Sequence, residues 1–570
     1  MEASVAINLK PVDVAVIGLG AAGGVAVLPL ARAGMKVAGI EAGTWMDPHA
    51  FRPDEIHNNI RGLLTSVPKA NREVPTVREN PSSPTRRAAI HPMMNAIGGT
   101  SIHYWAQSWR LKAWDFKTRT ETEKRYGARA LPAGSTLEDW PISYDDLEPY
   151  YDLVEREVGV SGKAGNIQGR IDAQGNVFEA PRQREYPMPA LRGSGFTDHM
   201  IEAARRLGWK PFRPPAAINS EEYRGRPGCV FHGFCSRGGC HISAKNSTAV
   251  TTIPEALKTK NLTVFDRAQV TRIAVGPDGR ASGVHYLRDG KEYFQPARAI
   301  LLASYTYENT RLLLLSKSAA FPRGLSNNHG QVGRHYFGHW TSGVAALFPF
   351  DINVWYGTPA QAAAVDDWAD DVYDHTGLGF IGGTSLQPHT EMHPIESASM
   401  STFGRAPTWG SRWKAFIRES AARWTSAYLQ TSSFPYAETF LDLDEEVRDP
   451  LGDPVCRITS GSKPNESRAV EFGQKKMEEW FRAAGAVEVS RNPPQPPGAT
   501  THAYGGTRMG DRVETNVVDR WGFSHEVPNL GILGASVMGT SGARNPTLTV
   551  QALSWRTAER LAKNWKSIGV

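Results

Sequence analysis

The chain has 570 residues, 40% of them apolar, which is enough for large cores and for two or more domains. Its 64 basic and 58 acidic residues leave a net charge of +6 with the signs mixed throughout, so the sequence carries no nucleic-acid footprint. Four cysteines are too few for a disulfide framework, and the N-terminal MEASVAINLKPVD lacks the basic, apolar and cleavage regions of an export signal.

The most apolar early run, residues 12–31, is broken by glycines and does not read as a membrane span. Val12 to Ile17 is short, apolar and β-branched, which predicts a strand. Gly18, Gly20 and Gly23 follow in G-x-G-x-x-G spacing. The first permits a tight turn, the second lets a pyrophosphate approach the backbone, and the third lets helix pack on strand. A helix over residues 21–33 would point its free N-terminal amides at that negative charge. The next strand, KVAGIEAG, ends in Glu41, an acid placed to accept bonds from an adenosine ribose. These features predict a dinucleotide site without separating FAD from NAD.

Residues 44–90 read as irregular, with many Pro, Asn and Arg. Gly98 and Gly99 give a second point of close backbone approach, followed by the aromatic-rich segment to residue 116. A helix is expected to start at Asp145 or Asp146, with Leu147, Tyr151, Leu153 and Val154 on its apolar side. Residues 162–192 read as loop, and residues 194–208 as a helix ending at Gly208.

The stretch from Cys229 to His241, CVFHGFCSRGGCH, holds three of the four cysteines. Cys229, His232, Cys235 and Cys240 have spacings that could enclose one centre, with His241 as a rival to His232. Thiolates favour zinc or iron–sulfur, and spacing does not choose between them. Cys456 stands alone and reads as a quiet thiol.

Residues 260–316 return to strand logic, with a PDG turn between β-branched runs, a buried strand at ARAILLAS and helical turns at NTRLLLLS. Residues 340–445 suggest a second domain with an antiparallel sheet. Near the end a strand, a glycine-rich loop and a long helix follow one another. Leu548, Ala552, Leu553, Thr557 and Leu561 form one stripe of that helix.

Five ordered motifs, GLGAAGG with Glu41, IGGTSIHYW, YENTRLLLLS, HAYGGTRMG and VPNLGILGASVMGTSGARNPTLT, make the chain resemble the glucose–methanol–choline (GMC) family of FAD oxidoreductases. The resemblance implies an α/β fold with a Rossmann-like FAD-binding domain from discontinuous segments, 1–130, 215–330 and 490–570, which includes the loop 229–241. A substrate domain with a mainly antiparallel sheet and helices would comprise 131–214 and 331–489. It implies FAD rather than NAD. The FAD-contacting positions it assigns are Gly18, Gly20, Gly23, Glu41, Gly98, Gly99, Ser101, His103, Val270, Ala535, Asn545 and Thr547. The likeness of GGTSIH to pyranose oxidases raises a covalent bond through His103 as the less favoured alternative, because Tyr104 and Trp105 depart from that pattern.

The family's catalytic pair falls on His502 and Asn545. Hydride leaves an alcohol carbon for flavin N5 only as the hydroxyl loses its proton, so a base of near-neutral pKa and a neutral amide that orients the same oxygen suit the chemistry. Arg544 reads as a surface arginine, with a role toward an acidic sugar or the flavin as the alternative. The cysteine loop resembles that of the large subunits of bacterial gluconate, sorbitol, fructose and glucose dehydrogenases. This implies a [3Fe–4S] cluster on Cys229, Cys235 and Cys240, with His232 as a further candidate ligand, passing electrons singly to a cytochrome or quinone.

The implied function is FAD-dependent oxidation of a secondary or anomeric hydroxyl of a sugar or glycoside, with ring C3 as a specific position. Trp105, Trp109, Trp114, Trp409, Trp413 and Trp424 are candidate stacking faces. The rivals are a pyranose-oxidase-like enzyme using oxygen, a gluconate or polyol dehydrogenase and, last, a non-catalytic flavin subunit. Implied partners are a small subunit with a twin-arginine export signal and a cytochrome c subunit, with no nucleic acid and no membrane span in this chain. The implied location is periplasmic, with cytoplasmic as the alternative.

Overall fold

A computed structural model of the chain describes residues 6–60, 74–88, 93–236, 238–355, 357–393, 395, 398 and 407–568. Parts of the segment expected to be irregular, 61–73 and 89–90, lie outside the described residues. The rest of that segment includes two short strands, Thr76–Arg78 and Arg86–Arg87, which join the antiparallel pair Phe440–Arg448 and Pro454–Thr459. Neither stretch, of three and two residues, has enough length to announce itself by period; the partner strand far along the chain recruits the first, which pairs with the second.

The larger sheet is built on β1 (Val12–Ile17), β2 (Val37–Ile40), β3 (Leu262–Phe265), β4 (Gln269–Val275), β5 (Ala281–Arg288) and β6 (Lys291–Leu302), in the order β3-β2-β1-β6-β5-β4. The first three are parallel to one another and to the end of β6, whereas β4, β5 and the start of β6 form an antiparallel meander. The central parallel strands β1 and β2 and the end of β6 are buried on both faces, which explains their continuous apolar runs, whereas the edge strand β3 is partly exposed. The helix α1 (Gly23–Arg32) covers them, ending two residues before Gly34, which takes the left-handed conformation that suits glycine.

The capped helix of the middle region, α2 (Tyr144–Val154), starts one residue earlier than Asp145 because Ser143 is its N-cap. The Ser143 hydroxyl accepts from the Asp146 amide, and the Asp146 carboxylate accepts from the Ser143 amide. The helix at residues 194–208 forms as Gly195–Arg206, and NTRLLLLS lies in α3 (Thr306–Leu315) up to Ser316, which is its C-cap.

A second, antiparallel sheet is made by β8 (Trp340–Leu347), β9 (Thr384–Ser385), β10 (Trp424–Thr431) and β11 (Glu488–Arg491), in the order β9-β10-β8-β11. The 20-residue helix α4 (Pro464–Ala483) packs on it through Met477, Trp480 and Phe481. Just before β8, the short strand β7 (Phe337–Gly338) pairs antiparallel with β12 (Ala503–Tyr504). The last strand, β13 (Leu530–Ile532), adds to β6, and the final long helix α5 (Thr547–Lys563) packs against α1. The α/β fold with a Rossmann-like unit drawn from discontinuous segments and a mixed sheet-and-helix substrate region is therefore the one expected of the GMC fold. Among the described residues, no helix is long and apolar enough to cross a membrane.

Candidate active site

The glycines after β1 adopt the geometry that their spacing predicts. Gly18 has a φ of +89°, and its amide donates to Ile40 O at 2.8 Å. A Cβ there would lie 2.6 Å from Ala303 O, and one on Gly23 would lie 1.9 Å from Gly18 O. Residue 98 closes on the same turn: its amide donates to Leu19 O at 2.9 Å. A Cβ on Gly99 (φ +54°) would approach Gly20 Cα to 2.8 Å. Two backbone turns thus meet with no side chain between them. Glu41, at the end of β2, is buried. Its carboxylate accepts from Leu19 N at 2.8 Å and from Gly43 N at 2.9 Å, so it braces the glycine turn from below.

The other assigned cofactor positions take varied places. The Ser101 hydroxyl donates to Gly98 O at 2.5 Å and accepts from Thr248 N at 3.3 Å, which ties the 98–99 turn to residue 248. His103 is buried, and its amide closes that 3₁₀ turn on Thr100 O. Val270 lies in β4, two residues beyond Ala268, whose amide donates to Glu41 O. Ala535 opens a 3₁₀ turn and its carbonyl accepts from Gly505 N at 3.2 Å. Thr547 is the first residue of α5, two positions after Asn545.

Ten residues beyond the 98–99 turn, the chain delivers Trp109 to a second cluster. His502 and Asn545 meet there, with Asn545 Nδ2 3.4 Å from His502 Nε2. Asn545 Oδ1 accepts from Trp109 Nε1 and from Gln430 Nε2, each at 2.9 Å. On the other side of the imidazole, His502 Nδ1 lies 3.0 Å from His339 Nδ1. Pairing of β7 with β12 produces this neighbour: the ladder continues one residue, with the His339 amide donating to His502 O at 3.1 Å. His339 Nε2 lies 2.8 Å from Gly542 O in the loop that presents Asn545. Burial pushes His502 down to about 3, with His339 adding to the shift, and pushes His339 down to about 4. Both imidazoles are therefore neutral at neutral pH.

Arg544 is not at the surface. It is 2% exposed and forms an ion pair with the fully buried Asp366, at 2.6 and 3.2 Å. Asn176 and Ser385 also donate to Asp366, at 2.5 and 2.8 Å. The guanidinium stands over the Trp109 ring, 5.2 Å from its centroid, so it backs the indole that holds Asn545.

Of the six tryptophans proposed as stacking faces, Trp109 reaches the pair. Trp105 packs edge-on to His389, Trp114 lies under Arg125, Trp424 is core, and Trp413 donates to Ala398 O. Trp409 is 78% exposed. The sequence reading missed His339, Gln430 and Asp366. Each lies more than a hundred residues from the partner that gives it meaning, and no local motif marks it.

The cysteine loop corrects the expectation of an iron–sulfur cluster, and with it the relay of electrons through such a centre and the assignment of Cys229, Cys235, Cys240 and His232 as ligands. Among the described residues there is no group of three or more His, Cys, Asp or Glu that could hold a metal ion. The three cysteines are free thiols. Cys229 Sγ accepts from the Phe231 amide at 3.4 Å, and burial raises its thiol pKa; burial raises Cys235 further. His232 turns Nδ1 to its neighbour's carbonyl, Gly233 O, at 2.5 Å, and stacks on His241. The loop is organised instead by buried Lys245, whose ammonium donates to Tyr104 O, Cys235 O and Gly238 O at 3.1, 2.9 and 2.7 Å. Glu391 completes this scaffold by accepting from the Ser236 amide at 3.0 Å.

Comparison with known proteins bears on the whole chain. The GMC oxidoreductase family models match residues 17–341 and 435–554. The chain is 30% identical to the gluconate 2-dehydrogenase flavoprotein of Pantoea cypripedii, over 99% of this chain and 95% of that one. It is 26% identical to the fructose dehydrogenase large subunit of Gluconobacter japonicus, over 97% and 98%. Pyridoxine 4-oxidase from Mesorbium loti shares the fold at a TM-score of 0.61 and 15% identity, covering 97% of this chain and 99% of that one.

Proposed function

Because the chain belongs to the GMC oxidoreductase family and is an FAD-dependent enzyme acting on CH–OH groups, we propose that its substrate is a sugar or glycoside whose secondary or anomeric hydroxyl is oxidised. The single observation that carries the reading is the His502–Asn545 pair, with a neutral imidazole nitrogen facing an amide at 3.4 Å. Both named relatives act, by their names, on polyhydroxylated substrates, gluconate and fructose.

The residues present fit FAD. Gly18, Gly23 and Gly99 let the two turns pack backbone to backbone where a Cβ would collide, and the Glu41 carboxylate holds the glycine turn through the Leu19 amide. FAD, when bound, supplies the hydride acceptor that alcohol oxidation needs. The protein's own part is the proton. His502 Nε2 takes it from the substrate hydroxyl as the C–H bond breaks. Asn545 Nδ2 donates to the same oxygen and fixes its direction, while Trp109 and Gln430 fix the amide. Burial keeps the base unprotonated before substrate arrives.

A partner subunit with an export signal, and periplasmic placement through it, belong to the same proposal; the Gluconobacter relative is named a large subunit. Co-purification of the tagged chain with a second polypeptide, followed by cell fractionation, checks that part. The catalytic reading is tested by mixing holoenzyme anaerobically with sugars and glycosides and following flavin bleaching. His502→Ala is expected to slow bleaching ~10²–10⁴-fold, the usual contribution of a positioned base. Bleaching at the wild-type rate refutes the assignment, and re-oxidation by a dye against oxygen then separates dehydrogenase from oxidase.

A further inference from the structure

We propose that His339 is a positioning residue that fixes the tautomer of His502, so that the nitrogen facing substrate carries a lone pair. The inference rests on the base role of His502. It follows from hydrogen-bond accounting along two chains of contacts that start from groups with no choice of role.

The first chain begins at a carbonyl. Gly542 O can only accept, so His339 Nε2, 2.8 Å away, must carry hydrogen. A neutral imidazole has one N–H, which leaves His339 Nδ1 as an acceptor. His502 Nδ1, 3.0 Å from it, must then be the donor. A neutral His502 protonated at Nδ1 is bare at Nε2. The Tyr504 hydroxyl is also near His339 Nδ1, at 3.3 Å, but it has Arg544 O as an acceptor at 3.4 Å and need not compete for the lone pair.

The second chain begins at an indole. Trp109 Nε1 can only donate, so the Asn545 atom 2.9 Å from it is the oxygen. The amide nitrogen therefore faces His502 Nε2 at 3.4 Å, and an NH₂ group has nothing to accept with. His502 Nε2 must again be the unprotonated nitrogen. Two independent routes, through residues on β7–β8 and on the segment after Gly99, end at one tautomer.

His339 is suited to this task. It is 1% exposed, and it touches both halves of the pair, His502 through Nδ1 and the Asn545 loop through Nε2. Burial keeps it neutral, and a protonated His339 would present N–H to N–H toward His502 and undo the arrangement. The groups that face it are His502, Tyr504 and the Gly542 carbonyl, with Asp115 and Arg544 beyond Tyr504.

The test separates the two bonds of His339. In His339→Asn the amide oxygen takes the place of Nδ1 and still accepts from His502, whereas the bond to Gly542 O is lost. In His339→Gln the amide nitrogen takes the place of Nε2 and still donates to Gly542 O, whereas the acceptor toward His502 is lost. Stopped-flow flavin reduction by sugar, with holoenzyme at matched flavin content, is expected to give Asn within ~5-fold of wild type and Gln lower by ~10²-fold or more in rate, because a base in the wrong tautomer forfeits general-base assistance. Substrate dissociation constants should change little, which a merely structural defect would not preserve. Equal rates for Asn and Gln, high or low, overturn the proposal. Should either variant fail to retain flavin, ¹⁵N-histidine NMR of the wild-type holoenzyme decides: His502 protonated at Nδ1 supports the proposal and protonation at Nε2 overturns it. His502→Ala run alongside keeps the outcomes distinct. If it reduces flavin normally, the base assignment itself has failed; if it is dead while Asn and Gln match, only the role of His339 has failed.

Discussion

Replacing Asp366 with Ala would strand a charge. Asp366 accepts two bonds from Arg544 and one each from Asn176 and Ser385, all within 3.2 Å, and neither charged side chain reaches water. Removing one partner of a buried pair leaves the other uncompensated, which costs about 3–5 kcal/mol. Arg544 keeps weaker help from Asp370 and Asp115, so the lower half of that range is the expectation. With a urea slope above the ~3 kcal/mol/M reached by small proteins, the unfolding midpoint of the holoenzyme should fall by roughly 0.5–1 M. The Asp366→Leu/Arg544→Met double variant should recover most of that loss, because an apolar pair of similar volume carries no stranded charge. It should not recover turnover, since no guanidinium then backs the Trp109 ring that holds Asn545. Tryptophan fluorescence in urea and steady-state dye reduction measure the two effects. An Asp366→Ala midpoint indistinguishable from wild type, or a double variant no more stable than the single, would refute the reasoning.

Two further outcomes follow from the geometry. Burial holds His502 near 3 and His339 near 4, so the rate of flavin reduction should stay flat from pH 8 to 5 and be lost as the pH falls through about 4, where His339 protonates, and toward 3, where the base does; stopped-flow rates that inflect near 6.5 would contradict this. Gly99→Ala places a Cβ in the left-handed region, at about 1–2 kcal/mol, and 2.8 Å from Gly20 Cα. Its flavin-to-protein absorbance ratio should fall below wild type, and a ratio equal to wild type would remove the close approach of the two turns from the account.

The glycine turn and its strands were legible in the sequence because short-range sterics write them there. A φ of +89° at Gly18 and a 1.9 Å Cβ clash at Gly23 leave glycine as the residue that fits, and a parallel strand buried on both faces needs a β-branched apolar run. The cysteine loop misled for a related reason. Spacing says which thiols could converge, but Lys245 and Glu391 determine how the loop folds, and Glu391 lies about 150 residues further along the chain.

By itself the sequence determined the dinucleotide-binding unit, the family motifs and the two residues of the candidate pair, since each is carried by a contiguous stretch. Only the tertiary structure decided what surrounds that pair. His339 meets His502 across a two-strand ladder 163 residues apart in sequence, and Trp109 meets Asn545 across 436. Such partners leave no trace in local pattern, because a hydrogen bond between distant segments depends on how the strands register and the loops close, and the neighbours of a residue along the chain do not encode either.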